Sequence, residues 1–489
     1  MGSKSVGKNA ILNVIKTFCS IAFPLITFPY VTRVLRAENL GKVNYANSII
    51  QYFVLIAILG TATYATRECA GVRDDKKKLN ALANEIFGLN IITFLIACIA
   101  LFMTMVLGDF SAYKLLIIIY STEILFKSFS FEWINSVFED FEYITVRTII
   151  VQLLSLALTF ILVKKPDDYY KYAIIQTTSF GVISFANIVY TRRYLKVKPI
   201  IKISTTISHL RNSLVFFANS LAITIYCNSD ITMIGVYNDD TAVGIYSVSA
   251  KIYTIIKNLF AAVLVVCIPR LSNYHNQGRS KEAQDLLDDI TRTLLLITIP
   301  SACGLASLSE EIIQLVSGEG YSSGVASLSI LSLSLVFAIL GGIVNNCILI
   351  PIKQEKINLI STILAACVNF GLNFILIPLM GINGAAITTV LAEIVAFISS
   401  YILSKEVRKI FSVKQYMHSF IHALVGSTSI YFIIILIKRL VAQPVFIILI
   451  SIALSGLVYL IELILFKDSM LVKFYTKYIL KSLNRKRNE

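Results

Sequence analysis

Fourteen stretches of this 489-residue chain are long and apolar enough to cross a bilayer, and several carry a single charged residue near their middle. A helix of about 20 apolar residues covers the roughly 30 Å of hydrocarbon in a membrane. Hydrophobicity all round a helix, rather than on one face, suits lipid, where a spanning segment must satisfy its own backbone. The expected fold class is an all-α polytopic membrane protein with about fourteen transmembrane helices between residues 10 and 466, among them 10–32, 43–65 and 112–134. Composition agrees: 56% of residues are hydrophobic and 15% charged, and a mean hydropathy of +0.75 lies outside the usual range of soluble domains. The first apolar stretch continues past Tyr30 without a small-residue cleavage site, so it is expected to remain as a span.

A net charge of +15 invites a nucleic-acid partner, yet its distribution argues for a membrane instead. Lys and Arg concentrate in alternate loops: Arg73-Asp-Asp-Lys-Lys-Lys78, then Arg192-Arg193 with Lys196, Lys198 and Lys202, then Lys405, Arg408, Lys409 and Lys414. By the positive-inside rule these loops and both termini are expected on the cytoplasmic side of the membrane. The tail 467–489 sets Lys473, Lys477, Lys481 and Arg485-Lys-Arg487 among apolar residues at helical spacing. An amphipathic helix on the anionic inner leaflet is expected there, with membrane lipids as its partner.

The chain also resembles itself. An offset of 203 aligns Leu40-Gly-Lys-Val43 with Val243-Gly-Ile-Tyr246, Arg67 with Arg270 and Lys78 with Lys281. An offset of 214 brings Phe160-Ile-Leu-Val163 onto Phe374-Ile-Leu-Ile377. Two six-helix lobes in parallel pseudo-twofold repeat are expected, 1–190 and 213–404, joined by a basic cytoplasmic loop 191–212 and followed by two further helices in 405–466. Parallel repeats of this kind occur in transporters that rock two halves about a central site.

Three runs carry a family resemblance. Phe28-Pro-Tyr-Val-Thr-Arg-Val-Leu35, with Asn39-Leu-Gly-Lys-Val-Asn-Tyr-Ala-Asn-Ser-Ile49 and Ala65-Thr-Arg-Glu-Cys-Ala70, opens the chain; Phe131-Glu-Trp-Ile-Asn-Ser-Val-Phe-Glu-Asp-Phe-Glu-Tyr-Ile-Thr-Val-Arg147 leads to Lys165-Pro-Asp-Asp-Tyr-Tyr170; Leu379-Met-Gly-Ile-Asn-Gly-Ala-Ala386 opens the twelfth span. Together they resemble the Wzx-type polysaccharide flippases of the multidrug/oligosaccharidyl-lipid/polysaccharide exporter superfamily. The resemblance implies alternating-access turnover of undecaprenyl-diphosphate-linked oligosaccharide for O-antigen, capsule or exopolysaccharide assembly. It also implies a transporter rather than an enzyme, with polysaccharide polymerase machinery as a downstream partner.

Charges inside spans are costly, about 2.5 to 3.5 kcal/mol each on insertion scales, so they mark function by default. A lipid diphosphate needs cations along its path, and Lys16, Lys251 and Lys257 meet that need. Ser247, Lys251, Thr254 and Asn258 form one polar helical stripe, while Asn44, Asn47, Ser48 and Gln51 form another at the matching place in the repeat. The expected substrate contacts are therefore Lys16, Arg33, Asn47, Gln51, Lys251, Thr254, Lys257 and Asn258. Structural bonding within the helix bundle is the competing account of the same residues.

Acidic residues suggest ion coupling. Glu123 precedes Lys127 by four residues, the favourable order for an intrahelical pair. Asp230 and Lys251 lie at similar distances from the turn between their spans and are expected at equal depth. Glu393, mid-span, has no basic residue near it in sequence. Asp230, Glu393 and Glu123 are the candidate coupling sites for a proton or sodium gradient.

No cofactor is expected beyond such a gradient. Gly2 and Gly7-Lys8-Asn9 graze a phosphate loop, but Asn9 stands where Ser or Thr should hold magnesium. His418 and His422 share a helix face without a third ligand, and the eight cysteines show no C-x-x-C spacing. Two other readings stay open. A membrane polymerase or ligase would be expected to carry a larger outer loop than 314–325, and an ion-coupled multidrug/cation antiporter of the same superfamily would favour acidic over basic cavity residues.

Overall fold

The computed structural model describes residues 6–466, so the amphipathic tail expected over 467–489 lies outside the described residues. No strand occurs among the described residues; the elements are α1 (Val6–Ile58), α2 (Thr61–Gly71), α3 (Lys76–Leu107), α4 (Lys114–Ser128), α5 (Glu132–Val137), α6 (Phe141–Leu162), α7 (Tyr169–Thr191), α8 (Ile203–Tyr237) and α9 (Asp240–Asn276). They continue with α10 (Ser280–Ser307), α11 (Ser309–Ser317), α12 (Val325–Ile343), α13 (Glu355–Met380), α14 (Ile382–Leu403), α15 (Lys405–Ile410), α16 (Val413–Leu440) and α17 (Pro444–Leu465). The protein is a multi-pass membrane protein. Its outward faces carry large apolar side chains such as Phe102, Leu162, Phe185 and Leu379, which water would not tolerate in such number.

Twelve helices among the described residues are long and apolar enough to span, against the fourteen expected. The difference arises at two places. The first candidate, Phe18–Gly71, runs the expected spans 10–32 and 43–65 together. At 1.5 Å per residue α1 alone would be about 80 Å long, well beyond one membrane thickness, and its helix is broken at Arg36, where φ is 63° and ψ 170°. The second is α4, which has only 15 residues because its helix stops at Ser128. Phe131 then takes a left-handed φ of 48° before α5 begins.

Packing divides the chain into two compact units, one up to Ser247 and one from Val248. In the first, α1 packs on α3, α4, α6 and α8, while α4 and α6 also meet α7. Near the basic loops, Tyr64, Cys69, Leu79, Ile86, Trp133 and Ile134 form a buried core beneath α2, α3 and α5. Asp75 caps α3 there by accepting from the Lys77 and Lys78 amides, both at 3.1 Å.

Several contacts lie around the break at Arg36, inside α1. Asn39 donates to the Pro166 carbonyl at 3.0 Å, Tyr30 to the Val163 carbonyl at 2.7 Å, and Tyr113 to the Asp240 carboxylate at 2.7 Å. Two glycines make closer approaches still. A Cβ on Gly41 would lie 1.7 Å from the Asp240 carbonyl oxygen, and one on Gly244 would lie 1.9 Å from the Ala37 carbonyl oxygen. Only glycine fits at either position. The offset of 203 that pairs Gly41 with Gly244 also pairs Ala37 with Asp240, so the two approaches are related by that one offset.

In the second unit α10 packs on α12 and α16, α14 on α12 and α13, and α16 on α17. The run Leu379–Ala386 is the tight turn between α13 and α14. Gly381 takes φ 57°, and the fully buried Asn369, Asn373 and Thr388 bond across the two helices, with Thr388 donating to Asn373 at 2.5 Å.

Candidate functional site

The expected polar stripe of the first unit is wired inward. Gln51 donates to Asn47 at 2.6 Å and to Glu123 at 3.1 Å, and Lys127 donates back to Gln51 at 3.1 Å. Glu123 is 1% exposed and lies 2.7 Å from Lys127, the intrahelical pair expected from their spacing. Ser48 is buried and accepts from Thr232 at 2.9 Å, which in turn meets Tyr52 at 3.2 Å. The first set of bonds ties α1 to α4 and the second ties α1 to α8.

Lys16 belongs to a different cluster. Its ammonium lies 3.5 Å from Glu132, whose other oxygen is 3.3 Å from Arg147. Arg147 is buried and also donates to Asn187, which accepts from Asn135 at 3.2 Å. Two cations thus share one carboxylate, a local excess of positive charge. Glu132, Arg147 and Asn187 were absent from the expected site residues. Glu132 and Arg147 lie in the family-like run 131–147, but only folding brings them to Lys16. Arg33 is exposed, three residues before the break in α1.

Asp230 is buried and accepts from the Tyr246 hydroxyl at 2.6 Å. That donor is a phenol on α9, five residues before Lys251.

The second unit is arranged otherwise. Lys251, Thr254 and Asn258 are all exposed on α9, although they fall well inside a helix with a spanning window of mean hydropathy 2.0. Lys257, one turn along, donates to Glu393 on α14 at 2.6 Å, and Tyr253 reaches the same oxygen at 3.3 Å. No basic residue lies near Glu393 along the chain, and its partner comes from 136 residues away in sequence, beyond the reach of local spacing. A lysine–carboxylate pair between two helices can be opened by moving either helix, by neutralising the acid, or by an anion that competes for the ammonium.

Among the described residues no group of three His, Cys, Asp or Glu is placed to hold a metal ion. His418 and His422 stand 4.2 Å apart by ring centres, with His422 stacked on Phe466. The assembled groups are lysines, carboxylates and neutral hydrogen-bonding side chains, suited to anions and sugars.

Comparison with known proteins now decides the family. The sequence pattern of the polysaccharide biosynthesis protein family matches residues 6–275. The chain belongs to that family. The pattern described as Lipid II flippase MurJ matches residues 187–456, so the two together run through nearly the whole described length. A "Putative O-antigen transporter" of Escherichia coli (strain K12) is 23% identical over 338 residues, covering 67% of this chain and 79% of that protein. Another of that description, from Shigella dysenteriae, is 26% identical over 368 residues, covering 74% and 90%. Among solved structures, the lipid II flippase MurJ in an inward closed conformation aligns with a TM-score of 0.77 at 18% identity, covering 94% of this chain and 99% of that one. An inward-facing multidrug resistance MATE family transporter of the MOP superfamily aligns at 0.55 and 15% identity, covering 78% and 96%. The family member is a Wzx-type transporter of the multidrug/oligosaccharidyl-lipid/polysaccharide exporter superfamily, with the fold of MurJ.

Proposed function

We propose that the chain carries undecaprenyl-diphosphate-linked oligosaccharide repeat units from the inner to the outer leaflet of a bacterial cytoplasmic membrane by alternating access, for O-antigen, capsule or exopolysaccharide assembly. The observation that carries this reading is the exposed polar face of α9, Lys251 with Thr254 and Asn258, beside a Lys257 whose charge is held by Glu393. A diphosphate leaving water needs cations that are present but not already spent on a fixed partner. Lys251 offers one directly. Lys257 offers a second when Glu393 is neutralised by a proton, or its carboxylate taken by sodium, which would tie substrate binding to an ion gradient. Sugar hydroxyls would bond Thr254 and Asn258, and Asp230 is a second carboxylate for coupling.

Both termini, and the segments 67–85, 191–212, 269–291 and 405–415, would face the cytoplasm, with 1–190 and 213–404 acting as two six-helix lobes. Product would pass to polysaccharide polymerase machinery. Glu123 and Glu393 each already lie against a lysine, which disfavours the cation-antiporter reading.

Reconstitution tests the proposal. Vesicles holding the purified chain and a polyprenyl-diphosphate oligosaccharide should move its sugar to the far leaflet under an imposed proton or sodium gradient, scored by an impermeant lectin. Movement equal to that of empty vesicles under both gradients would overturn the function. Single-cysteine labelling of 191–212 from outside intact cells would overturn the orientation alone.

A further inference from the structure

The first unit contains a cavity of about 450 Å3 between α3, α4 and α7 that none of the expected site residues lines. Its wall includes Phe87, Phe126, Phe129, Phe131 and Phe185, with Ser184 as its one polar side chain. Phe87 packs 5.7 Å from Phe129 and 5.0 Å from Phe131 by ring centres. Leu125 and Phe185 are exposed at its rim, 43% and 70%, on helices whose other outward residues face lipid. It opens, therefore, to hydrocarbon.

Its position matters as much as its lining. Phe131 is wall, and Glu132, the next residue, is the carboxylate shared by Lys16 and Arg147. An apolar slot thus adjoins a cluster with one more positive than negative charge. Lys16 and Glu132 keep 31% and 37% of their side-chain surface exposed, so the cluster is reachable. The pair of features matches a molecule with a phosphate at one end and an unsaturated, methyl-branched chain beginning immediately beyond it. Ring faces, negative at their centres, accept the weakly positive hydrogens of such a chain along its whole length, and the cationic cluster fixes which end of it lies here.

We infer that this aromatic cavity is a docking site for the first isoprene units of a polyprenyl phosphate carrier, whose phosphate meets the Lys16–Glu132–Arg147 cluster. The inference rests on the flippase reading and adds a site where the lipid end is held, apart from α9. Because Lys16 lies at the end of α1 nearest the basic loops, the site serves substrate arriving from the leaflet on that side.

Photo-crosslinking tests it on the purified full chain, with undecaprenyl phosphate bearing a diazirine on its second isoprene unit. Label should fall on the peptides holding Phe129 and Phe185, and excess phosphatidylethanolamine should leave it unchanged. Phe185→Ala, a change at the exposed rim, should lower labelling about tenfold, the loss expected of one good aromatic contact. Lys16→Gln should lower it while Lys16→Arg retains it. Displacement by phosphatidylethanolamine would assign the cavity to ordinary bilayer lipid and overturn the inference, as would labelling untouched by Phe185→Ala and Lys16→Gln. The same preparation assayed for flipping keeps the two readings apart. A chain that flips without labelling here overturns the site alone, and one that labels without flipping overturns the transport reading alone.

Discussion

Two lysine–carboxylate pairs with a buried acid, Glu123 with Lys127 in the first unit and Glu393 with Lys257 in the second, differ in how they are built. The first is closed within a single helix at four-residue spacing. It moves as one piece with α4 and reports nothing about motion between helices. The second joins α9 to α14, so any displacement of one helix against the other stretches it. Removing one member of a buried pair costs about 3–5 kcal/mol, because the remaining charge is left uncompensated. In the first unit Gln51 stands beside both members and softens that loss. In the second unit the ammonium is left next to an exposed polar face. The difference teaches that an intramembrane ion pair can be scaffold or switch according to whether its two ends can separate.

The strongest way to break that contrast is Glu393→Gln. It should abolish gradient dependence and reduce flipping more than about a hundredfold, the equivalent of about 3 kcal/mol, while the protein still inserts and purifies. Transport with full gradient dependence in this variant would make the pair scaffold after all. Next comes Lys251, where Lys→Gln should weaken substrate binding roughly ten- to hundredfold, since a charge-assisted bond contributes about 1.5–3 kcal/mol. Lys→Arg should fall between Gln and wild type. Equal binding by all three, measured by titration with the lipid-linked oligosaccharide, would remove Lys251 from the path.

Glu123→Gln should do less. Flipping should drop no more than about threefold with its gradient dependence intact, and the loss should appear as a lower melting temperature, because the network it leaves is structural. Loss of gradient dependence here, with dependence kept in Glu393→Gln, would invert the comparison. The smallest effect is expected from Asn47→Ala, which deletes an acceptor for Gln51 and should shift thermal unfolding slightly without altering substrate affinity. An affinity change as large as that of Lys251→Gln would return the first stripe to the substrate path.

How much of this was legible in the sequence follows from the range of each interaction. Helical spans show as apolar runs, and Glu123–Lys127 shows as an i, i+4 spacing, because both are properties of one continuous segment. The Lys257–Glu393 pair does not show, since nothing local in either run specifies the other. Glu132 was visible as a charge yet not as the partner of Lys16, for the same reason. The expected and observed counts of spans differ where backbone geometry intervenes: α1 carries two expected spans across its break at Arg36, and α4 ends early at Ser128. Hydropathy averages over such details. The alternating polar residues of the two stripes looked equivalent, and only burial separates Ser48, which is enclosed, from its counterpart Lys251, which is exposed.

The glycine approaches near the break in α1 carry a further consequence. Gly41 rests on Asp240 and Gly244 on Ala37, so the contact maps onto itself when positions 203 residues apart are exchanged. Self-complementarity of that kind is the signature of an isologous interface, the patch by which two identical molecules meet about a twofold axis. A duplicated and fused gene would inherit such a patch twice in one polypeptide, and neither half could then drift freely. A methyl group added to either glycine strikes a backbone carbonyl of the segment it faces, so neither position can change while these two segments stay packed.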